Sequence, residues 1–444
     1  MILLASTVRA DDWPQWLGPQ RDGVWRETGI VETFPAGGPV VRWRVAIGAG
    51  YAGPVVAGER VLVMDRVGAA DTPKSVGVAG IGKRYDTVGH ERVLCFEAST
   101  GKTLWKHEYV RRYDIAYPSG PRATPVVDAG KVFALGAMGD LYCLDAKQGQ
   151  VLWSKNFVRD CAARLPLYGF AASPIVDGHR LICMVGGADG VVAAFDKNSG
   201  SLLWQAITAK APGSCTPVII KAGGRRQLIV WHTEALVSLD PENGKTFWSE
   251  PFEVGYEMAI ATPQFDGRRL FISSFHGGSM LLELSPETPG ARVIWKNNIP
   301  SPGGGKSTLG LHCTIGNPVL QGEMIYGVCA SGELRGVKAD TGERLWATLA
   351  ATGGKRNLWA SAYLIPHADR YFIFNERGDL SIAHLTPAGY EETSRAHILA
   401  PSDHLPGRAV TWAHPAFADR CVYARSDSQL VCVSLAVTDK QPKP

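Results

Sequence analysis

Thr100-Gly101-Lys102-Thr103-Leu104-Trp105 is one of several copies of a single turn. It recurs as Gly149-Gln-Val-Leu-Trp153, Gly200-Ser-Leu-Leu-Trp204, Gly244-Lys-Thr-Phe-Trp248 and Gly342-Glu-Arg-Leu-Trp346, with a looser copy from Gly290 to Trp295. From Trp105 to Trp346 the steps between tryptophans are 48, 51, 44, 47 and 51 residues. A period of this length marks a repeat architecture, in which each unit buries its apolar face only against its neighbours. Function then belongs to the place where loops of several repeats meet.

Around each turn the chain alternates apolar and polar residues in short runs. Between Ala123 and Phe157, Thr124-Pro-Val-Val-Asp128 is followed by Lys131-Val-Phe-Ala-Leu135, Leu141-Tyr-Cys-Leu-Asp145 and Val151-Leu-Trp-Ser-Lys155. Four strands separated by tight turns make one propeller blade. First strands start near Pro54, Pro125, Pro174, Pro217, Pro263, Pro318, Ala362 and Pro415. The expectation is an all-β protein: a single eight-bladed β-propeller of four-stranded antiparallel blades. The last blade stops after three strands, at Leu430-Val-Cys-Val-Ser-Leu435. Val41-Arg-Trp43-Arg-Val-Ala-Ile47 has the look of a fourth strand, so the N-terminal strand closes the ring and pairs an otherwise open edge. The expected divisions are a signal-peptide remnant over 1–10, a lead-in over 11–40, the propeller over 41–436 and a tail over 437–444.

Fifty glycines, 28 prolines and 13 tryptophans among 444 residues suit short strands and tight turns. The net charge of +4 is too balanced to suggest a nucleic-acid partner. No apolar run is long enough for a transmembrane span. Ile2-Leu3-Leu4-Ala5 before Val8-Arg9-Ala10 reads as the end of an export signal, which points to a periplasmic or secreted protein. The nine cysteines include Cys95, Cys143 and Cys432 at matching strand positions, as small apolar residues would be. If the protein is exported a disulfide is possible, with its pairing open.

The repeat signature, apolar-aromatic-x-Leu-Asp-x-x-Thr-Gly-x-x-Leu-Trp, resembles the quinoprotein-dehydrogenase-like propellers that carry pyrroloquinoline-quinone-like repeats. Leu144-Asp145, Phe195-Asp196 and Leu239-Asp240 carry its aspartate, which is replaced at Glu97, Ser285 and Lys338. The leader Trp13-Pro-Gln-Trp-Leu-Gly-Pro-Gln-Arg-Asp-Gly23 is similar to the lead-in of secreted members. The resemblance implies one of two activities. Quinone-dependent dehydrogenases hold pyrroloquinoline quinone and calcium on the axis, with a catalytic aspartate and a disulfide between adjacent cysteines. This chain has no Cys-Cys pair and none of their long inserted loops. Non-catalytic scaffolds, of which the outer-membrane assembly propeller is nearest in size, bind no cofactor.

The long loops between blades, at 106–123, 154–172, 297–316 and 396–413, are expected on one face, together with the insertion at 67–90. The loops of this face carry aromatic and cationic residues: Tyr117, Arg122, Tyr168, Lys306, His312, His404 and Trp412 within those ranges, with Tyr256 before the fifth first strand and His414 just before Pro415. Such a mixture suits a peptide segment, a protein or a small anionic ligand. Arg122, His312 and His414 stand within a few residues of first strands and so close to the axis. Gly303-Gly-Gly-Lys306-Ser307 lacks the first glycine of a phosphate loop, and no His-Glu-x-x-His, Cys-x-x-Cys or Gly-x-Ser-x-Gly occurs. The expectation is a monomeric, exported binding propeller with no catalytic residues, metal or cofactor. A quinone dehydrogenase is the alternative, and a hydrolytic or lyase site built on His312 and His414 is a third reading.

Overall fold

The computed structural model describes residues 11–68, 83–297, 310–405 and 408–437. Eight four-stranded antiparallel sheets follow one another around a ring. Blade 1 takes Val55–Ala57, Arg60–Val67, Tyr85–Glu97 and Thr103–Ile115; blade 2 takes Val126–Asp128, Lys131–Leu135, Asp140–Asp145 and Val151–Asn156. First strands begin at the residue after each of the expected prolines and, in blade 7, at Ala362. The eighth blade joins Ala416–Ala418, Cys421–Arg425 and Gln429–Ser434 to Val41–Ala46, with Trp43 opposite Cys432 and Val45 opposite Leu430. The N-terminal strand therefore closes the ring. The signal-peptide remnant expected over 1–10, the tail from 438 and Lys306 lie outside the described residues.

The repeated tryptophan has one structural task, and the register explains its position. Each fourth strand that carries the tryptophan bulges immediately before it, and the tryptophan then faces a third-strand residue that is usually small. Trp105 faces Cys95, Trp153 faces Cys143, Trp204 faces Ala194, Trp346 faces Gly336 and Trp43 faces Cys432. Three of the cysteines thus occupy positions that demand small size. All nine are buried and unbridged. The ring then reaches the next blade and covers the glycine of its turn. A Cβ on Gly149 would meet Trp105 Cε3 at 2.4 Å, and one on Gly200 would meet Trp153 at 2.9 Å. The indole N–H donates to a carbonyl of that same turn, Trp153 to Lys197 at 3.2 Å and Trp43 to Ala98 at 2.8 Å. In blade 7 Ser394 stands where the tryptophan would be, and its hydroxyl accepts from the Phe34 amide of the lead-in at 2.8 Å.

A second belt runs nearer the axis. In four blades the residue before the proline donates its amide to a side chain at the same position of the next blade. Gly53 N donates to Thr124 Oγ1, Thr124 N to Ser173 Oγ, Ser173 N to Thr216 Oγ1 and Thr262 N to Asn317 Oδ1, at 2.8–3.2 Å. This satisfies buried backbone donors where strands converge.

The loop boundaries differ from the expectation in blade 1. Residues 106–115 are not loop but the outer half of a 13-residue strand, paired with Tyr85–Glu97. The cause is a buried carboxylate. Glu91 accepts the hydroxyls of both Tyr109 and Tyr113, and the amide of Ala137 at 3.0 Å. Tyr113 is therefore fixed inside the wall rather than at the mouth. The loop after blade 7 also gains structure, a hairpin of Ser402–Leu405 with Arg408–Val410.

Candidate functional site

Loops that lead into first strands open on one face of the ring, and the first turn of every blade lies on the other. On the first face is a cavity of about 1180 Å³, counting its space open to solvent. Each of the eight blades contributes to its wall: Tyr51, Arg122, Ser173, Thr216, Ile260, Thr314, Tyr363 and His414 come from blades 1 to 8 in order. Tyr117, Tyr168, Trp359 and Trp412 stand around it, and Met258, His276 and Ile315 complete much of the lining. Among the described residues no lining side chain carries a carboxylate or an amide, and Arg122 is the one lysine or arginine.

The base of this cup comes from outside the repeats. The leader pairs with blade 1, where Trp13 N donates to Val56 O, and with blade 2, where Val127 N donates to Pro14 O. Arg21 reaches the Val176 carbonyl of blade 3, and Trp25 N donates to Pro366 O of blade 7 at 2.9 Å. It thus crosses the centre of the ring beside the first strands. Trp16 projects into the cup, its Nε1 donating to Thr262 Oγ1 of blade 5 at 2.9 Å and its ring 5.0 Å from that of His414. Sequence reasoning missed this role. The available signal was Trp13, Trp16 and Trp25, three tryptophans in a short segment that no repeat uses.

Aromatic contacts join neighbouring walls. Tyr117 lies 6.1 Å from Tyr168 and 6.3 Å from Trp412, which is 6.5 Å from Tyr51. Burial pushes the phenols of Tyr51, Tyr117 and Tyr168 up to about 12, so they remain neutral donors. Trp412 is held from behind: its Nε1 donates to Glu376 Oε2 at 3.1 Å, and Arg408 Nε donates to Glu376 Oε1 at 2.9 Å. Tyr117, Tyr256 and Trp359 all adopt left-handed backbone conformations, with φ of 53°, 55° and 63°. Non-glycine residues held there cost of order 1–3 kcal/mol each and gather at binding sites.

Arg122 lines the cup and also ties its own loop. Its Nη1 donates to Gly120 O at 2.9 Å, and its Nη2 donates to Ala116 O at 2.8 Å and to Tyr117 O. The guanidinium lies 5.0 Å from the centre of the Tyr51 ring. Burial draws its pKa down, and the nearby phenols and Glu91 oppose that. His414 occupies the pre-proline position that carries a hydroxyl in blades 2 to 5. Its Nδ1 donates to the Pro415 carbonyl at 2.7 Å, which leaves Nε2 as an acceptor. Burial pushes this imidazole down to about 4.

The structure thus brings Tyr117, Arg122, Tyr168, Trp412 and His414 to one cavity. Tyr256 is not in its wall; 54% exposed, it packs at 4.8 Å on His276, which is. His312 is buried behind the wall, and the neighbouring Thr314 and Ile315 face the cup in its place. His404 lies in the hairpin of Ser402–Leu405, with its side chain outside the described residues. Among the described residues no cluster of three or more His, Cys, Asp and Glu side chains could hold a metal ion. No described helix is long and apolar enough to cross a membrane.

These features define an eight-bladed propeller of the pyrroloquinoline-quinone-like repeat class. The family described as outer membrane protein assembly factor BamB matches residues 89–348 and 261–442, and the chain belongs to it. Among solved structures it is similar to BamB from Moraxella catarrhalis, at 15% identity and a TM-score of 0.56, over 90% of this chain and 100% of that one. It is also similar to the quinohemoprotein alcohol dehydrogenase from Comamonas testosteroni, at 13% identity and a TM-score of 0.59, over 98% of this chain and 82% of that one. A europium-containing methanol dehydrogenase matches at 11% identity and a TM-score of 0.54, over 94% of this chain and 90% of that one. At these identities the likeness establishes the fold. No curated protein sequence matches the chain.

Proposed function

We propose that the protein is an exported, non-catalytic binding propeller whose axial cup receives a small molecule or an apolar group of a partner protein. One observation carries this reading: all eight blades and the leader converge on a single aromatic cavity. Ligand sites are concave, mostly apolar and supplied with a few convergent polar groups, as this one is. The family description supports a place outside the cytoplasm and a protein partner.

The alternative, a quinone dehydrogenase, asks for other donors. Calcium takes an all-oxygen shell rich in carboxylates and amides. A quinone bearing several carboxylates needs more than one cation. The described lining residues offer no carboxylate or amide, and one guanidinium already tied to three carbonyls. They do not fit that cofactor pair.

A fragment screen by ligand-observed NMR tests the reading, run on the wild type and on Trp412→Ala. Aromatic fragments should bind the wild type and be lost or weakened in the variant at an unchanged melting temperature. If no fragment binds, or binding ignores Trp412, the cup is not the site. Saturable binding of pyrroloquinoline quinone with calcium, together with substrate-dependent dye reduction, would establish the dehydrogenase instead.

A further inference from the structure

We infer that the cup selects a small aromatic carboxylic acid bearing a ring O–H or N–H donor, its carboxylate against Arg122 and its donor against His414. This rests on the binding reading above and narrows it to a ligand class.

Charge comes first. Among the described residues Arg122 is the one lysine or arginine of the lining, and none of the lining residues carries a carboxylate. Its three hydrogen bonds go to neutral carbonyls, so its charge is not balanced by an ion pair. A guanidinium has five N–H donors, which leaves two for a ligand. The carboxylate acting on it from behind the wall, Glu91, is already occupied by two phenols and an amide. A buried cation without a counter-charge favours an anion and opposes an ammonium ligand.

The second polar group has the opposite requirement. His414 spends its N–H on the Pro415 carbonyl, and Nε2 accepts no hydrogen bond among the described residues. Held neutral by burial, it asks for a donor.

The ground between is aromatic. Tyr51 lies under the Arg122 guanidinium and next to Trp412, the Tyr363 hydroxyl donates to the Trp412 carbonyl, and the Tyr363 ring lies 4.8 Å from that of His414, with Trp16 below. Flat apolar walls match a ring. They do not match a sugar, whose hydroxyls would need the carboxylates and amides that the lining lacks. A single cation matches one carboxylate.

The test compares four probes on the wild type by calorimetry: 4-hydroxyphenylacetate, its amide, phenylacetate and tyramine. The acid should bind about tenfold tighter than the amide, which corresponds to one charge-assisted contact. Phenylacetate should bind several-fold more weakly than the hydroxy acid, and tyramine should not bind. Arg122→Met should erase the preference for acid over amide, and His414→Phe the preference for the hydroxyl. The wild-type comparison stands even if a variant misfolds. Equal binding of acid and amide, or tighter binding of tyramine, would overturn the inference and leave the cup as a binding site. If no probe binds and the fragment screen is also empty, both readings fall.

Discussion

Trp105 of blade 1 covers Gly149 in the turn of blade 2, and its indole N–H donates to the Ala146 carbonyl of that turn at 3.1 Å. Gly149 has φ of 73°, so the turn needs glycine twice, for its conformation and for the ring above it. Gly149→Ala should cost about 2–4 kcal/mol, from left-handed strain and overpacking together. Chemical denaturation checks this. A cost below about 0.5 kcal/mol, typical of surface positions, would mean that the ring moves aside freely.

Ring closure depends on Val41–Ala46. Deleting residues up to Ala49 removes that strand together with the leader, exposing the edge of Gln429–Ser434 and unpacking Trp13 and Trp25 from the core of blades 1, 7 and 8. The truncated chain should be poorly soluble and lose its cooperative thermal transition. An unchanged melting temperature would contradict closure.

The buried imidazole gives a pH signature. His414 is held at about 4 in the fold, below the ordinary histidine value near 6.5, so protonation favours the unfolded chain. Its contribution to stability is complete above the unfolded value and is lost as pH falls through the window between the two. The whole loss would be roughly 3 kcal/mol. His107, His232, His276 and His367 are shifted down in the same direction, while Glu91, shifted up, acts oppositely. Melting temperature followed from neutral pH down towards 4.5 should therefore fall less steeply in His414→Gln than in the wild type. Parallel curves would mean that His414 titrates normally.

Much of the fold is written locally. The proline before each first strand, the Gly-x-x-Leu-Trp turn and the orphan strand at Val41 each announce themselves within a few residues, because turn conformation and strand alternation are local properties. The site is legible only in part. Arg122 and His414 lie beside first strands, and topology alone carries those strands to the axis. Trp16 meets Thr262 across 246 residues of chain, and no local pattern encodes such a contact. His312 and Thr314 are two residues apart, yet only Thr314 faces the cup, since the exact turn into the blade decides which side chain does. Tyr113 looked like a loop residue because its partner, Glu91, stands in a neighbouring strand.

The leader's role can be separated from folding. Trp16 is half-buried and makes one hydrogen bond, to Thr262, while Trp13 and Trp25 are fully packed. Trp16→Ala should therefore keep most of the thermal stability and open the base of the cup. Affinity for any aromatic fragment that binds the wild type should fall about tenfold, the size of a lost aromatic contact. Equal affinity in the two proteins would place the ligand away from the leader.

The most direct test of the account is a crystal structure of the wild type soaked with the tightest fragment from the screen. The account predicts density for the fragment on the ring axis, enclosed by Trp16, Tyr51, Tyr117 and Trp412 with a polar group at Arg122. A fragment bound on the outer strands or the turn face, with the axial cup holding only water, would contradict it.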